Sequence, residues 1–321
     1  MSGSQEGLRA VIACLFPPTP LLEDLSIRGE FGVAPHRHPV LTSAHFGGDL
    51  SSLRKLCLEC IRTELPWRNM DNLMSFKLLY TSPVSVRQLL DFFESAPHLR
   101  EVDLLSTTST FGVQDRRLVS LACLKWMVIA GDSPSSILLD HLLIPAGASL
   151  MTRVGSQIRN HIPRSLNNLR NLFGFTTIEL DAGLPKPYIR FSGPNGEFSM
   201  ILEDPQVDTT SLLLEFLTHF DTSGTERLEI SSGDPPSSNA IYRMLLPMND
   251  LRALTLTQFE SPLVLIHALD PSMGPSGIVL CPKLEELVFE YCAGNESDIQ
   301  SVTEMAAARA LRGARLGTVW R

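Results

Sequence analysis

Lysine is scarce in this chain. Five lysines (Lys55, Lys77, Lys125, Lys186 and Lys283) stand against 22 arginines. Positive charge is in deficit overall. The formal net charge is -8 over 321 residues, so no broad cationic surface is available to neutralise phosphates, and nucleic acid is not expected as a partner. Long apolar runs are missing too. None approaches the ~18 residues of a membrane-spanning helix, and the uncharged stretch 10–22 is broken by Pro17, Pro18 and Pro20. Residues 1–7 lack the basic start of a secretory signal. No membrane partner is expected, and the expected location is the cytoplasm or nucleus. Cysteine is thin: Cys14, Cys57, Cys60, Cys123, Cys281 and Cys292 are scattered through the length. Small disulfide scaffolds space their cysteines densely; these read as packed, reduced thiols.

The motifs of common chemistry are absent as well. There is no G-x-x-x-x-G-K, G-x-G-x-x-G, G-x-S-x-G or H-E-x-x-H. Cys57-Leu-Glu-Cys60 has no second cysteine pair to complete a zinc site, so packing is its expected role. His36, His38 and His45 fall in a Pro-flanked loop and read as solvated side chains. Arg309, Arg312, Arg315 and Arg321 read as cations near a helix C-terminus, where the dipole favours them; a nucleic-acid patch is the sharper alternative. The expectation is a non-enzyme with no catalytic, cofactor-binding or metal-binding residue.

What is present is a recurring apolar-x-x-apolar-x-apolar pattern. It occurs at Leu22-Leu25-Ile27, Leu53-Leu56-Leu58, Leu73-Phe76-Leu78, Leu99-Val102-Leu104 and Leu124-Met127-Ile129. It returns at Phe175-Ile178-Leu180, Leu251-Leu254-Leu256 and Leu284-Leu287-Phe289, with a weaker copy, Leu228-x-Ile230, opened by Thr225. At 44% apolar content, chance alone gives roughly 27 such triplets. The spacing carries the signal. Most steps are 20 to 33 residues or about twice 25, and degenerate copies near Leu150 and Met200 fill the double steps. A period of about 20–29 is that of leucine-rich repeats.

Each pattern places two apolar residues on one face of a strand, and each unit needs neighbours to bury that face. Between strands, 86–95 puts Val86, Leu89, Leu90 and Phe93 on one helical face. Further helices are expected from Ser135, Ser211 and Ser238, read as N-caps, and over 298–312. Strands alternating with helices imply a parallel sheet. The stretch 188–202 breaks the rhythm and reads as a β-hairpin turning at Asn195-Gly196, expected to project or to pair across an edge. The fold expected is α/β: one irregular leucine-rich-repeat-like solenoid over 1–321, with parallel strands on the concave side, helices outside and this hairpin insert.

Residues between the buried positions face the concave side. They include Asp24, Ser26, Lys55, Cys57, Ser75, Lys77, Glu101, Asp103, Trp126, Val128, Thr177, Glu179, Arg227, Glu229, Ala253, Thr255, Glu286 and Val288. From this column Asp103, Trp126, Glu179, Arg227, Thr255 and Glu286 are the candidate partner-binding residues. Trp126 stands out, because aromatic anchors are enriched at hot spots. The alternative, left open by sequence, is that Trp126 is core and that loops or helices cover the column.

The stretches PLLEDLSI (20–27), GGDLSSLRKLCLECI (47–61), PWRNMDNLMSFKL (66–78), LLDFFESAPHLREVDL (89–104), ILLDHLLIPAGASL (137–150) and IPRSLNNLRNL (162–172) resemble those of a large family of F-box proteins from mushrooms. So do SGPNGEF (192–198), MNDLRALTLTQ (248–258), IVLCPKLEELV (278–288) and AARALRGARL (307–316). The resemblance runs in order along most of the chain. It implies the target-gripping repeat region of an adaptor of a cullin ubiquitin ligase. These residues contain no F-box, the helical motif that docks on the Skp adaptor, so Skp is an implied partner only where an F-box is supplied upstream. The alternative is a free-standing scaffold, or a truncated fragment with no ubiquitin-ligase role. Lysine scarcity fits the first reading, since an adaptor beside a ubiquitin-loading enzyme is itself exposed to modification.

Overall fold

The computed structural model describes residues 5–15, 19–42, 44–48, 50–64, 67, 69–81, 84–105, 108–109, 117–131, 135–155, 161, 163, 166–172, 174–203, 214, 216–231, 237–273, 278–292 and 296–320. The fold is mixed α/β, dominated by parallel strands with helices between them. Two compact units divide the chain, 1–173 and 174–321. No helix among the described residues is long and apolar enough to cross a membrane.

In the first unit, α1 (Gln5–Ala13) precedes the six strands that belong to the large sheet: β1 (Asp24–Arg28), β2 (Lys55–Glu59), β3 (Ser75–Leu79), β4 (Glu101–Leu105), β5 (Trp126–Ala130) and β6 (Ala148–Val154). They pair in chain order and all in parallel. The register stacks like on like. Leu25, Leu56, Phe76, Val102, Met127 and Leu150 form one inward row. Ile27, Leu58, Leu78, Leu104, Ile129 and Thr152 form the next. All are buried. Thr152 is the exception in kind: its fully covered hydroxyl has no hydrogen-bond partner among the described residues.

Helix α2 (Val86–Glu94) starts at a capping box. The Ser85 hydroxyl accepts from the Gln88 amide, and the Gln88 side chain accepts from the Ser85 amide. Its apolar face buries Val86, Leu89, Leu90 and Phe93 as the periodicity predicts, and Phe92 besides, whose ring lies 4.3 Å from that of Phe76. Helix α3 (Ser135–Leu139) is a short turn. Ser135 is its first residue, and the buried His161 ring accepts from the Ser135 amide at 3.2 Å.

The second unit holds β7 (Thr177–Asp181), β8 (Tyr188–Gly193), β9 (Gly196–Leu202), β10 (Arg227–Ser231), β11 (Ala253–Thr257), β12 (Glu286–Glu290) and β13 (Thr318–Trp320). Their order is β9-β8-β7-β10-β11-β12-β13. The pairs from β7 through β10 to β13 are parallel. The hairpin β8–β9 is antiparallel within itself and to β7. It therefore does not project; it pairs along β7 within the sheet, and Met200 belongs to it rather than to a parallel repeat. Gly193 pairs with Gly196, so the turn residues are Pro194 and Asn195, not Asn195 and Gly196. A side chain at Gly193 would meet the Phe175 backbone at 2.7 Å. Phe175, Phe191, Phe198, Phe216 and Phe220 pack around this hairpin.

Helices α4 (Ser238–Leu245), α5 (Leu263–Leu269) and α6 (Glu296–Leu311) fill the crossovers. The cap of α4 is Ser237, not Ser238, and its hydroxyl accepts from the Ala240 amide. The expected cap at Ser211 lies outside the described residues. Arg309 is not a surface cation of α6. It is fully buried, and its guanidinium donates to the carbonyls of Leu280 and Cys281 at 2.8 Å and of Leu269 at 3.4 Å. A fork of donors satisfies the end of α5 and a loop at once, and burial lowers the arginine's pKa.

Strand ends share one device. Cys60, Tyr80, Gln258 and Tyr291 each directly follow a strand with φ between 52° and 62°. The Cys60, Tyr80 and Gln258 amides then donate to Leu79, Leu105 and Glu290 on the next strand. That left-handed conformation costs about 1–2 kcal/mol for a residue with a side chain, and the extra bond to the neighbouring strand offsets it.

Two outcomes follow for stability. Arg309→Ala strips three carbonyls of their donor and opens a cavity, so urea unfolding should show a loss of about 3 kcal/mol. His161 has its pKa lowered to about 4 by burial. The unfolded chain therefore binds the proton first, and stability should fall as pH drops from about 6.5 to 4, by about 3 kcal/mol. His161→Gln should flatten that part of the profile; an unchanged slope would assign it to other groups.

Candidate functional site

Alternation along each strand sends every second side chain outward, and direct register collects these into rows. In the first unit the lower row runs Asp24, Lys55, Ser75, Glu101, Trp126 and Ser149. The middle row runs Ser26, Cys57, Lys77, Asp103, Val128 and Met151. Asp24, Ser26, Lys55, Glu101 and Trp126 are exposed, whereas Ser75 and Val128 are buried. Ser75 is covered beside Glu101, to which its hydroxyl donates at 3.0 Å.

Trp126 is 40% exposed, which places it on the surface rather than in the core. It pairs with Glu101 and sits diagonal to Asp103 across β4 and β5. Diagonal neighbours are within reach of an aromatic ring. The Asp103 carboxylate is half-buried, and its Oδ1 is covered with no hydrogen-bond partner among the described residues. Burial raises its pKa, while Lys77 and Arg153 pull it back. A covered acceptor without a donor is costly in the folded protein. Cys57, in the same row, has its thiol pKa raised by burial against a hydrogen bond from Ser26, which disfavours the nucleophilic thiolate.

In the second unit the rows are Thr177, Arg227, Ala253 and Glu286, then Glu179, Glu229 and Thr255. The candidates Glu179, Arg227, Thr255 and Glu286 therefore share one face. Glu179 is half-buried and lies directly opposite Glu229. Burial and the Glu179 and Glu290 charges raise the pKa of Glu229, with Arg227 opposing. Sequence reasoning missed Arg190 of β8, which joins this face by donating to Glu197 at 2.8 Å and Glu179 at 3.3 Å. Only the antiparallel register opposite Glu179 reveals it.

The remaining sequence candidates are placed elsewhere. Cys60 is buried behind β2. The His45 ring accepts from the Thr42 amide, and the His38 ring bonds to the Val33 carbonyl. Among the described residues no group of three His, Cys, Asp or Glu side chains is arranged to hold a metal. The buried Ser135–His161 pair is closed to solvent. Two grooves are lined by residues other than those of the outward rows. One, of about 670 Å³, runs beside α4, and one of about 410 Å³ lies near Arg100, Lys125 and Pro145.

No protein-family model matches the chain, and none of the curated proteins matches its sequence.

Asp103→Asn tests the strain at the outward face. The folded pKa is raised, so the ionised carboxylate opposes folding above that value and not below the unfolded value near 3.8. The variant should melt higher than the parent at pH 7, and the gain should vanish as pH falls through the carboxylate range. An equal or lower melting temperature at pH 7 would mean that Lys77 and Arg153 already repay the burial.

Proposed function

We propose that the chain is a protein-interaction module whose outward strand residues hold a protein partner. In this reading each unit is a leucine-rich-repeat-like solenoid segment, with strands on the concave side and helices outside. Its role is similar to that of the substrate-recognition part of an F-box adaptor of a cullin ubiquitin ligase. One observation carries the reading: an exposed Trp126 stands diagonal to a carboxylate, Asp103, whose covered oxygen has no donor among the described residues. Rigid strands hold both groups, so little entropy is lost on binding. The Glu179, Arg227, Thr255 and Glu286 rows offer a second polar surface of the same construction. The mushroom resemblance and the scarcity of lysine support the adaptor role.

The test is recovery of bound proteins on the tagged chain from mushroom cells, comparing the parent with Trp126→Ala. Truncating a hot-spot aromatic costs about 2 kcal/mol or more, so the partner should be retained at least tenfold less while the melting temperature stays the same. Skp and cullin subunits retained when an F-box is supplied upstream would put the chain in a ligase. A partner retained without them would make it a free-standing scaffold. A partner retained equally by Trp126→Ala would remove this face from the interaction.

A further inference from the structure

The groove beside α4 is built from other material than the outward rows. It is lined by Leu214, His219, Asn239, Arg243 and Leu246, among others, and none of its lining residues is on a strand. In this acidic chain four surface cations of the second unit are matched by carboxylates among the described residues. Lys186 pairs with Glu203, Arg190 with Glu179 and Glu197, Arg252 with Glu285, and Lys283 with Asp250. Arg243 and His219 are not. Both are exposed, both line the groove, and neither side chain makes a hydrogen bond or ion pair among the described residues. Leu246 lies beside them, 46% exposed, at the C-terminal cap of the same helix.

From this arrangement we infer that the groove docks a short acidic peptide segment of a partner protein, one that places a leucine-type side chain next to a carboxylate. The guanidinium is the anchor, because its fork matches a carboxylate with two donors. Leu214 and Leu246 take the apolar neighbour. Dimensions fit a segment rather than a whole surface. The eight residues of α4 span about 12 Å, the length of three to four extended residues.

The experiment is calorimetric titration of the full chain with three blocked hexapeptides, alternating leucine with glutamate, glutamine or lysine. The glutamate peptide should bind and weaken as salt rises; the other two should bind at least tenfold more weakly. Arg243→Gln should lower affinity for the glutamate peptide about tenfold, and Arg243→Lys, which keeps the charge but not the fork, should restore only part of it. Arg315→Gln, which removes an exposed cation outside the groove, should change nothing. Thermal melts check that each variant folds. Equal binding of the glutamine peptide, indifference to Arg243→Gln, or no binding at millimolar peptide would each overturn the inference. So would octanoate binding where the peptide fails, which would make the groove a small-molecule pocket.

Discussion

The inward rows of the parallel ladder are the constraint on which the first unit depends. Leu25, Leu56, Phe76, Val102, Met127 and Leu150 lie directly opposite one another on successive strands, with the Ile27-to-Ile129 row beside them. Side chains alternate along a strand with a period of two, so a slip of one residue would turn a whole apolar set to water. Each large aliphatic side chain left exposed costs about 1.5–3 kcal/mol, and one strand carries two. Register is thereby fixed, and with it the position of every outward side chain. Trp126 stands diagonal to Asp103 because Met127 and Val102 are locked opposite each other. The second unit repeats this with Ile178, Leu228, Leu254 and Leu287.

Strands were the most legible part of the sequence for the same reason. All nine parallel strands marked by the recurring triplet are present, at 24, 55, 75, 101, 126, 177, 227, 253 and 286. The copy near 150 was degenerate because Thr152 stands where others have an aliphatic residue, yet β6 forms there. A threonine is nearly the shape of valine, so packing tolerates it while a pattern search does not. Helices were less legible. Ser237 and Ser238 are equally good caps by composition, and only the geometry of the turn decides between them. Arg309 was read as a surface cation because arginine usually is one. Nothing local to the sequence announces the Leu269, Leu280 and Cys281 carbonyls that it binds.

The outward face was legible in membership and less so in electrostatics. Alternation named Asp103, Trp126, Glu179, Arg227, Thr255 and Glu286, and all lie on strands. It could not show that Ser75 and Val128 would be covered, since that depends on neighbouring strands. Nor could it show the Glu179–Glu229 pair or the place of Arg190, which depend on the order and direction of β7, β8 and β10.

The left-handed residues at the strand ends bear on how such a chain changes over time. Cys60, Tyr80 and Gln258 each bind the next strand and then turn the backbone away from it. Whatever follows begins from a common direction, decoupled from the register behind it. Connections after these points can gain or lose residues, because closing a longer loop costs only about 0.6 kcal/mol per doubling. Steps of 20 to 33 residues between copies are what such a hinge permits. Differences in connection length are absorbed there, and the register of the rows is left undisturbed.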